Sequence, residues 1–127
     1  MILHEYGHAV HFSQNFSFAS EEAGAISEGY RSTSPHCLRR VDNDLHYPID
    51  LNGEVHHDGR IWSRALWDIR NALGNVKADT VILEAQFDFP GTTMTDLATR
   101  TVNTAQRLYG NQAANKVHAA FADRGIL

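Results

Sequence analysis

The segment HEYGH at residues 4–8 places two histidines four residues apart with a glutamate directly after the first. Apolar residues around it recur mostly at spacings of three and four, which predicts a helix over residues 1–14. Residues four apart lie on one helix face, about 6 Å apart along the axis, so His4 and His8 can bind one ion. Two imidazoles at this spacing are a known zinc arrangement, and Glu5 would lie beside the ion, where it can accept a proton from water. The alternative is a pair of surface histidines flanking a solvated glutamate, but the apolar helical flanks favour the metal site.

A catalytic zinc needs a third protein ligand. His11 lies about 10 Å along the helix axis from His4, so a straight helix cannot bring all three histidines to one ion. The metzincin pattern HExxHxxGxxH is not met either, because Gln14 stands at its third histidine. Glu28 is the best candidate, since a second helix with its serine cap and first-turn acids at residues 20–22 would carry it.

Helical spacing of apolar residues continues through the rest of the chain. Helices are expected over residues 23–31, from the candidate N-cap Asp58 to Gly74, over 77–87, from Thr92 or Thr93 to Tyr109 where Gly110 stops the helix, and over 111–123. Trp62 and Trp67 are expected to be core residues. We find no stretch with a period of two, so the predicted fold is mainly α.

Composition limits the classes of function. The chain has 127 residues, enough for one domain spanning residues 1–127 with one core. Its net charge of −4 predicts no nucleic-acid partner, and no apolar run approaches the roughly 20 residues of a membrane span. Cys37 is the only cysteine, so no internal disulfide is expected. No signal peptide precedes His4, and a start so close to the motif favours a fragment of a longer chain.

The HEYGH motif at residues 4–8 and the segment around Glu28 together resemble the gluzincins, the zinc-peptidase group that includes thermolysin and fungalysin. In that group an HExxH helix is followed by a glutamate ligand on the next helix. The spacing from His4 to Glu28 matches this pattern, as does the sequence EAGAISE at residues 22–28. The resemblance implies that His4, His8 and Glu28 bind Zn²⁺ and that Glu5 is the general base. It also implies a zincin-like helical lobe, with an HExxH helix, a glutamate-ligand helix and a C-terminal helical bundle. Residues 39–68 and 120–127 resemble bacterial relatives of fungalysin as well.

A second histidine cluster occurs in NGEVHHD, residues 52–58. In thermolysin-like enzymes, a histidine in a Gly-x-Val-His context before a helix hydrogen-bonds the developing oxyanion. His56 matches that histidine, and a positioned donor of this kind contributes about 3 kcal/mol in the transition state. Its partner carboxylate would be Asp50 or Asp58. The alternative is that His56 and His57 only form a polar turn that caps the helix.

Three features depart from the family pattern. Ser32 stands where the family has an aspartate that orients the first zinc histidine, and such partners change metal affinity by roughly 10–100-fold. Only residues 29–55 separate Glu28 from His56, which is shorter than in the family. The substrate-binding arginine of that interval is missing, with Arg39 and Arg40 as candidate substitutes. The family's N-terminal β-rich lobe, whose edge strand binds the peptide backbone, does not precede the motif.

The leading hypothesis is a zinc metalloendopeptidase lobe that acts on a peptide or protein substrate, with an N-terminal lobe as a further partner. The family resemblance suggests a secreted protein. A zinc-binding but catalytically inactive, truncated module is the alternative, and Ser32 and the short interval after Glu28 motivate it. A third hypothesis, a purely structural helical domain, predicts no zinc.

Overall fold

The computed structural model describes residues 20–22, 25–26 and 41–127. Four complete helices lie within them: α1 (Val55–Leu73), α2 (Asn75–Gln86), α3 (Met94–Tyr109) and α4 (Asn111–Asp123). The residues described before position 27 are also helical from Glu21 onward. The described part of the chain contains no β-strand, which confirms the mainly helical class. None of its helices is long and apolar enough to cross a membrane.

Single glycines join α1 to α2 and α3 to α4; the sequence predicts that both end a helix, but α2 begins at Asn75, two residues before the predicted start. Gly74 and Gly110 have φ values of 81° and 87°, in the region that side chains with a Cβ avoid. Each donates its backbone N–H to the carbonyl four residues earlier, on Arg70 and Gln106 respectively. The next helix begins at the following residue in both cases, so each glycine makes a sharp corner between two helices.

The start of α1 differs from the prediction. Asp58 is not the N-cap: α1 begins at Val55, and Glu54 caps it. The Glu54 carboxylate accepts hydrogen bonds from the backbone N–H groups of His56 and His57, at 2.9 and 2.8 Å. The sequence pattern favours short capping side chains, but the longer glutamate reaches the same unpaired N–H groups. His56 therefore lies within the first turn of the helix rather than before it.

The four helices share one core. The main contacts of α1 are with α2 and α4, and those of α3 are with the same two helices. The Trp62 ring of α1 packs against Phe121 of α4, with ring centroids 5.1 Å apart. Ala25 and Ile26 are fully buried in the same core. The short helical segment that contains them is thereby attached to the four-helix core.

The two tryptophans of α1 have different environments. Trp62 is fully buried, as predicted, whereas Trp67 is 38% exposed, so the prediction that it is a core residue is wrong. Five residues correspond to about 140° around a helix, which turns Trp67 away from the face that carries Trp62.

This difference predicts unequal costs of truncation. Trp62→Ala is expected to lower the free energy of unfolding by about 3–5 kcal/mol, because it removes a large side chain from a closed core. Trp67→Ala is the matched control and is expected to cost less than about 1 kcal/mol. Urea denaturation followed by far-UV circular dichroism measures both. Equal losses for the two variants would contradict the packing described above.

Candidate functional site

The turn of residues 52–54, directly before α1, leads into the helix turn that carries His56, and two carboxylates hold it in place. Glu54 binds the N–H group of His56, as described above. Asp58, only 6% exposed, accepts hydrogen bonds from the backbone N–H groups of Asn52 and Gly53, both at 3.0 Å. Gly53 has a φ of 83°, which a glycine adopts without strain. The half-buried His56, in the first turn of α1, is thus presented by a preceding turn whose backbone Asp58 fixes and whose last residue, Glu54, caps the helix.

The two carboxylates predicted as partners of His56 have other contacts. Asp58 Oδ1 lies 3.0 Å from Nδ1 of His57, the neighbouring histidine, and so pairs with His57 rather than His56. Asp50 Oδ2 accepts a hydrogen bond from the backbone N–H of His46 at 2.8 Å and closes its own turn. For His57, the alternative of a polar turn at the helix start is therefore the better description.

Glu22 connects three parts of the described structure. Its Oε2 atom accepts a hydrogen bond of 2.8 Å from the backbone N–H of Met94, the first residue of α3. Both of its carboxylate oxygens also lie 3.4 Å from the Tyr47 hydroxyl, which donates to them. Burial and then the nearby Glu22 charge raise the pKa of Tyr47 above its ordinary value. The carboxylate also lies at the positive end of the α3 dipole, where a negative charge is favourable.

The residues next to Glu22 make two further contacts. The Ser20 hydroxyl donates to the Thr92 carbonyl at 2.6 Å. Glu21 reaches the turn in front of α1, because its Oε2 atom would lie 3.8 Å from a Cβ placed on Gly53. The start of this helical segment therefore lies beside the turn that presents His56.

Arg124, near the C-terminal end of the sequence, contacts the segment that carries Asp44 and Tyr47. The Arg124 guanidinium is buried, and its Nη1 atom donates to Asp44 Oδ1 at 3.1 Å. This hydrogen bond, together with the nearby charge of His46, lowers the pKa of Asp44. The Tyr47 N–H donates to the Arg124 carbonyl at 2.7 Å. The segment that carries Tyr47 is therefore held against the end of α4.

The predicted zinc ligands His4, His8 and Glu28 and the predicted general base Glu5 lie outside the described residues, as does Ser32. Within the described ranges, no three His, Cys, Asp or Glu side chains form a group that could hold a metal ion. The predicted donors are two imidazoles and one carboxylate. This is a donor set of catalytic zinc sites, so its chemistry fits the ion.

No protein-family model matches the sequence, and no curated protein is significantly similar to it. The resemblance to gluzincins therefore depends on the spacing and identity of the residues in the motifs themselves.

Proposed function

We propose that this chain is the catalytic lobe of a gluzincin-type zinc metalloendopeptidase, with His4, His8 and Glu28 as its zinc ligands. The observation that carries the proposal is that the segment leading to Glu28 lies close to the turn that presents His56. Glu21 lies beside this turn at Gly53. Glu28 and His56 are distant in sequence, and the proposed reaction needs them close together. Their sequence neighbours Glu21 and Gly53 lie near each other, which supports the proposal.

The proposed roles follow from the chemistry of each side chain. Zinc, when bound, polarises the attacking water and the peptide carbonyl. Glu5 accepts a proton from the attacking water and later passes it to the leaving amine. His56 donates a hydrogen bond from its ring to the carbonyl oxygen as that oxygen becomes negatively charged. The fixed backbone of the His56 turn supports this role, because a donor stabilises the transition state best when it needs no reorganisation.

The helical lobe would be zincin-like, with the HExxH helix and the glutamate-ligand helix packed on the core formed by α1–α4. The substrate would be a peptide or protein whose backbone is also bound by an N-terminal β-rich lobe. The acidic net charge of −4 favours neither nucleic acid nor an anionic membrane as a partner.

Metal removal tests the proposed function. The purified chain is expected to contain one zinc ion, and dialysis against a chelator should abolish cleavage of a fluorogenic peptide library. Restoring Zn²⁺ should restore the activity, whereas Mg²⁺, the control, should not, because it prefers oxygen ligands in an octahedral site. Elemental analysis measures the metal, and fluorescence measures cleavage. Cleavage that survives removal of the metal would contradict the mechanism. One zinc without any cleavage would instead favour the inactive zinc-binding module, and no zinc would favour the purely structural domain.

A further inference from the structure

We infer that Glu22 is a positioning residue for the zinc site, because its carboxylate fixes the start of the helix that the sequence predicts to carry Glu28. The inference rests on the proposed function and adds a residue to it. Glu22 itself binds no metal in this account; it acts through the orientation of the helical segment that begins at Glu21.

Glu22 binds the start of α3. The N–H groups in the first turn of a helix have no partner within the helix. At the start of α3, the Thr93 side chain accepts from the Asp96 N–H at 3.1 Å, and Glu22 accepts from the Met94 N–H at 2.8 Å. Met94 is fully buried in the core. The Glu22 carboxylate is therefore joined to a fixed point of the fold.

Further contacts fix the orientation of the Glu22 carboxylate and of its segment. The contact with Met94 alone would leave the carboxylate free to rotate about one hydrogen bond. The Tyr47 hydroxyl donates to the same carboxylate from another segment, at 3.4 Å from each oxygen. On the apolar face of the same segment, Ala25 and Ile26 are buried in the core. Two polar contacts and two buried side chains together define both the position and the rotation of the segment about its axis.

The segment that begins at Glu21 leads in sequence to the predicted zinc ligand Glu28. In the predicted helix, Glu28 follows Glu22 by six residues, which corresponds to about 9 Å along the axis. Zinc ligands must lie within about 0.2 Å of their ideal distances, so a small rotation at the helix start displaces the ligand. Ser32, which replaces the aspartate of the family pattern, leaves the site more dependent on how its helices are anchored. Loss of the Glu22 contacts is therefore expected to weaken zinc binding.

Competition with a chromogenic chelator, using Zn²⁺ alone as the probe, measures the zinc Kd of each variant. Glu22→Ala is expected to raise this Kd by about 10-fold or more, in the range known for residues that orient metal ligands. Glu22→Gln is expected to recover most of the affinity, because its amide oxygen can still accept from the Met94 N–H. Thr93→Ala removes a neighbouring cap of α3 but neither of the groups that bind Glu22, the Met94 N–H and the Tyr47 hydroxyl, and its Kd should stay within about twofold of the wild-type value.

The outcomes separate this inference from the proposed function. An unchanged Kd for Glu22→Ala would overturn the inference, and so would equal losses of affinity in Glu22→Ala and Thr93→Ala, which would indicate a general loss of stability. If Glu22→Ala does not fold by circular dichroism, Tyr47→Phe decides the question, with about a threefold rise in Kd expected from the loss of one hydrogen bond and an unchanged Kd overturning the inference. A wild-type chain that binds no zinc would contradict the proposed function itself.

Discussion

Glu5→Gln is expected to reduce kcat/KM for peptide hydrolysis by about 100-fold or more while one zinc ion per chain remains bound. Glutamine has nearly the same shape as glutamate, so the predicted helix and the proposed ligands His4 and His8 should be undisturbed. Its amide cannot accept a proton from the attacking water, and general base catalysis of this kind contributes roughly 10²–10⁴-fold. A fluorogenic peptide assay measures the rate, and elemental analysis measures the metal.

Glu84→Gln provides a control with the same change of charge. Glu84 is exposed on α2 and forms an ion pair of 2.8 Å with Arg107. Pairs of this kind contribute little to stability, so the variant should keep its activity within about twofold of the wild-type value. If Glu5→Gln retains more than about a tenth of the wild-type activity, Glu5 is not the general base.

His56→Ala is expected to lower kcat by about 10²–10³-fold with little change in KM. A donor that binds the oxyanion acts mainly in the transition state, so its loss appears in kcat. The contacts of Glu54 and Asp58 in the turn involve the backbone of residue 56 and its neighbours, and they remain available in the variant. The fold is therefore expected to persist. Steady-state kinetics with one peptide substrate measures both parameters.

The adjacent histidine is the control for this prediction. His57→Ala removes one of the partners of Asp58 and is expected to cost about 1 kcal/mol of stability, with kcat unchanged. The two histidines thus separate a catalytic effect from a structural one at neighbouring positions. A large fall in kcat for His57→Ala together with normal kinetics for His56→Ala would show that His57, and not His56, has the oxyanion role.

Local signals predicted much of the fold. The bounds of α4 follow from apolar spacing and from Gly110, and Thr93 and Gly74 mark helix ends as expected. The two wrong predictions concern side chains whose environment depends on more than their local sequence. Asp58 has the chemistry of a cap, but it folds back on the preceding turn. Trp67 has the chemistry of a core residue, but the neighbouring helices do not cover it.

The candidate site was less predictable for the same reason. His56 could be proposed from its local Gly-x-Val-His context, and its role stays a prediction. The role of Glu22 could not, because its partners Tyr47 and Met94 are 25 and 72 residues away in sequence. No periodicity or motif relates positions so distant, and only the packing of the helices brings them together. The sequence predicted Glu22 as an acidic residue in the first turn of a helix, but it did not predict the contacts of its carboxylate.

The most direct test of the central claim is anomalous diffraction at the zinc edge from crystals of the zinc-loaded chain. We predict one strong anomalous peak about 2.0–2.2 Å from an imidazole nitrogen of His4, an imidazole nitrogen of His8 and a carboxylate oxygen of Glu28. A structure with these side chains well defined and no anomalous peak among them, or with zinc held only by other residues, would contradict the account.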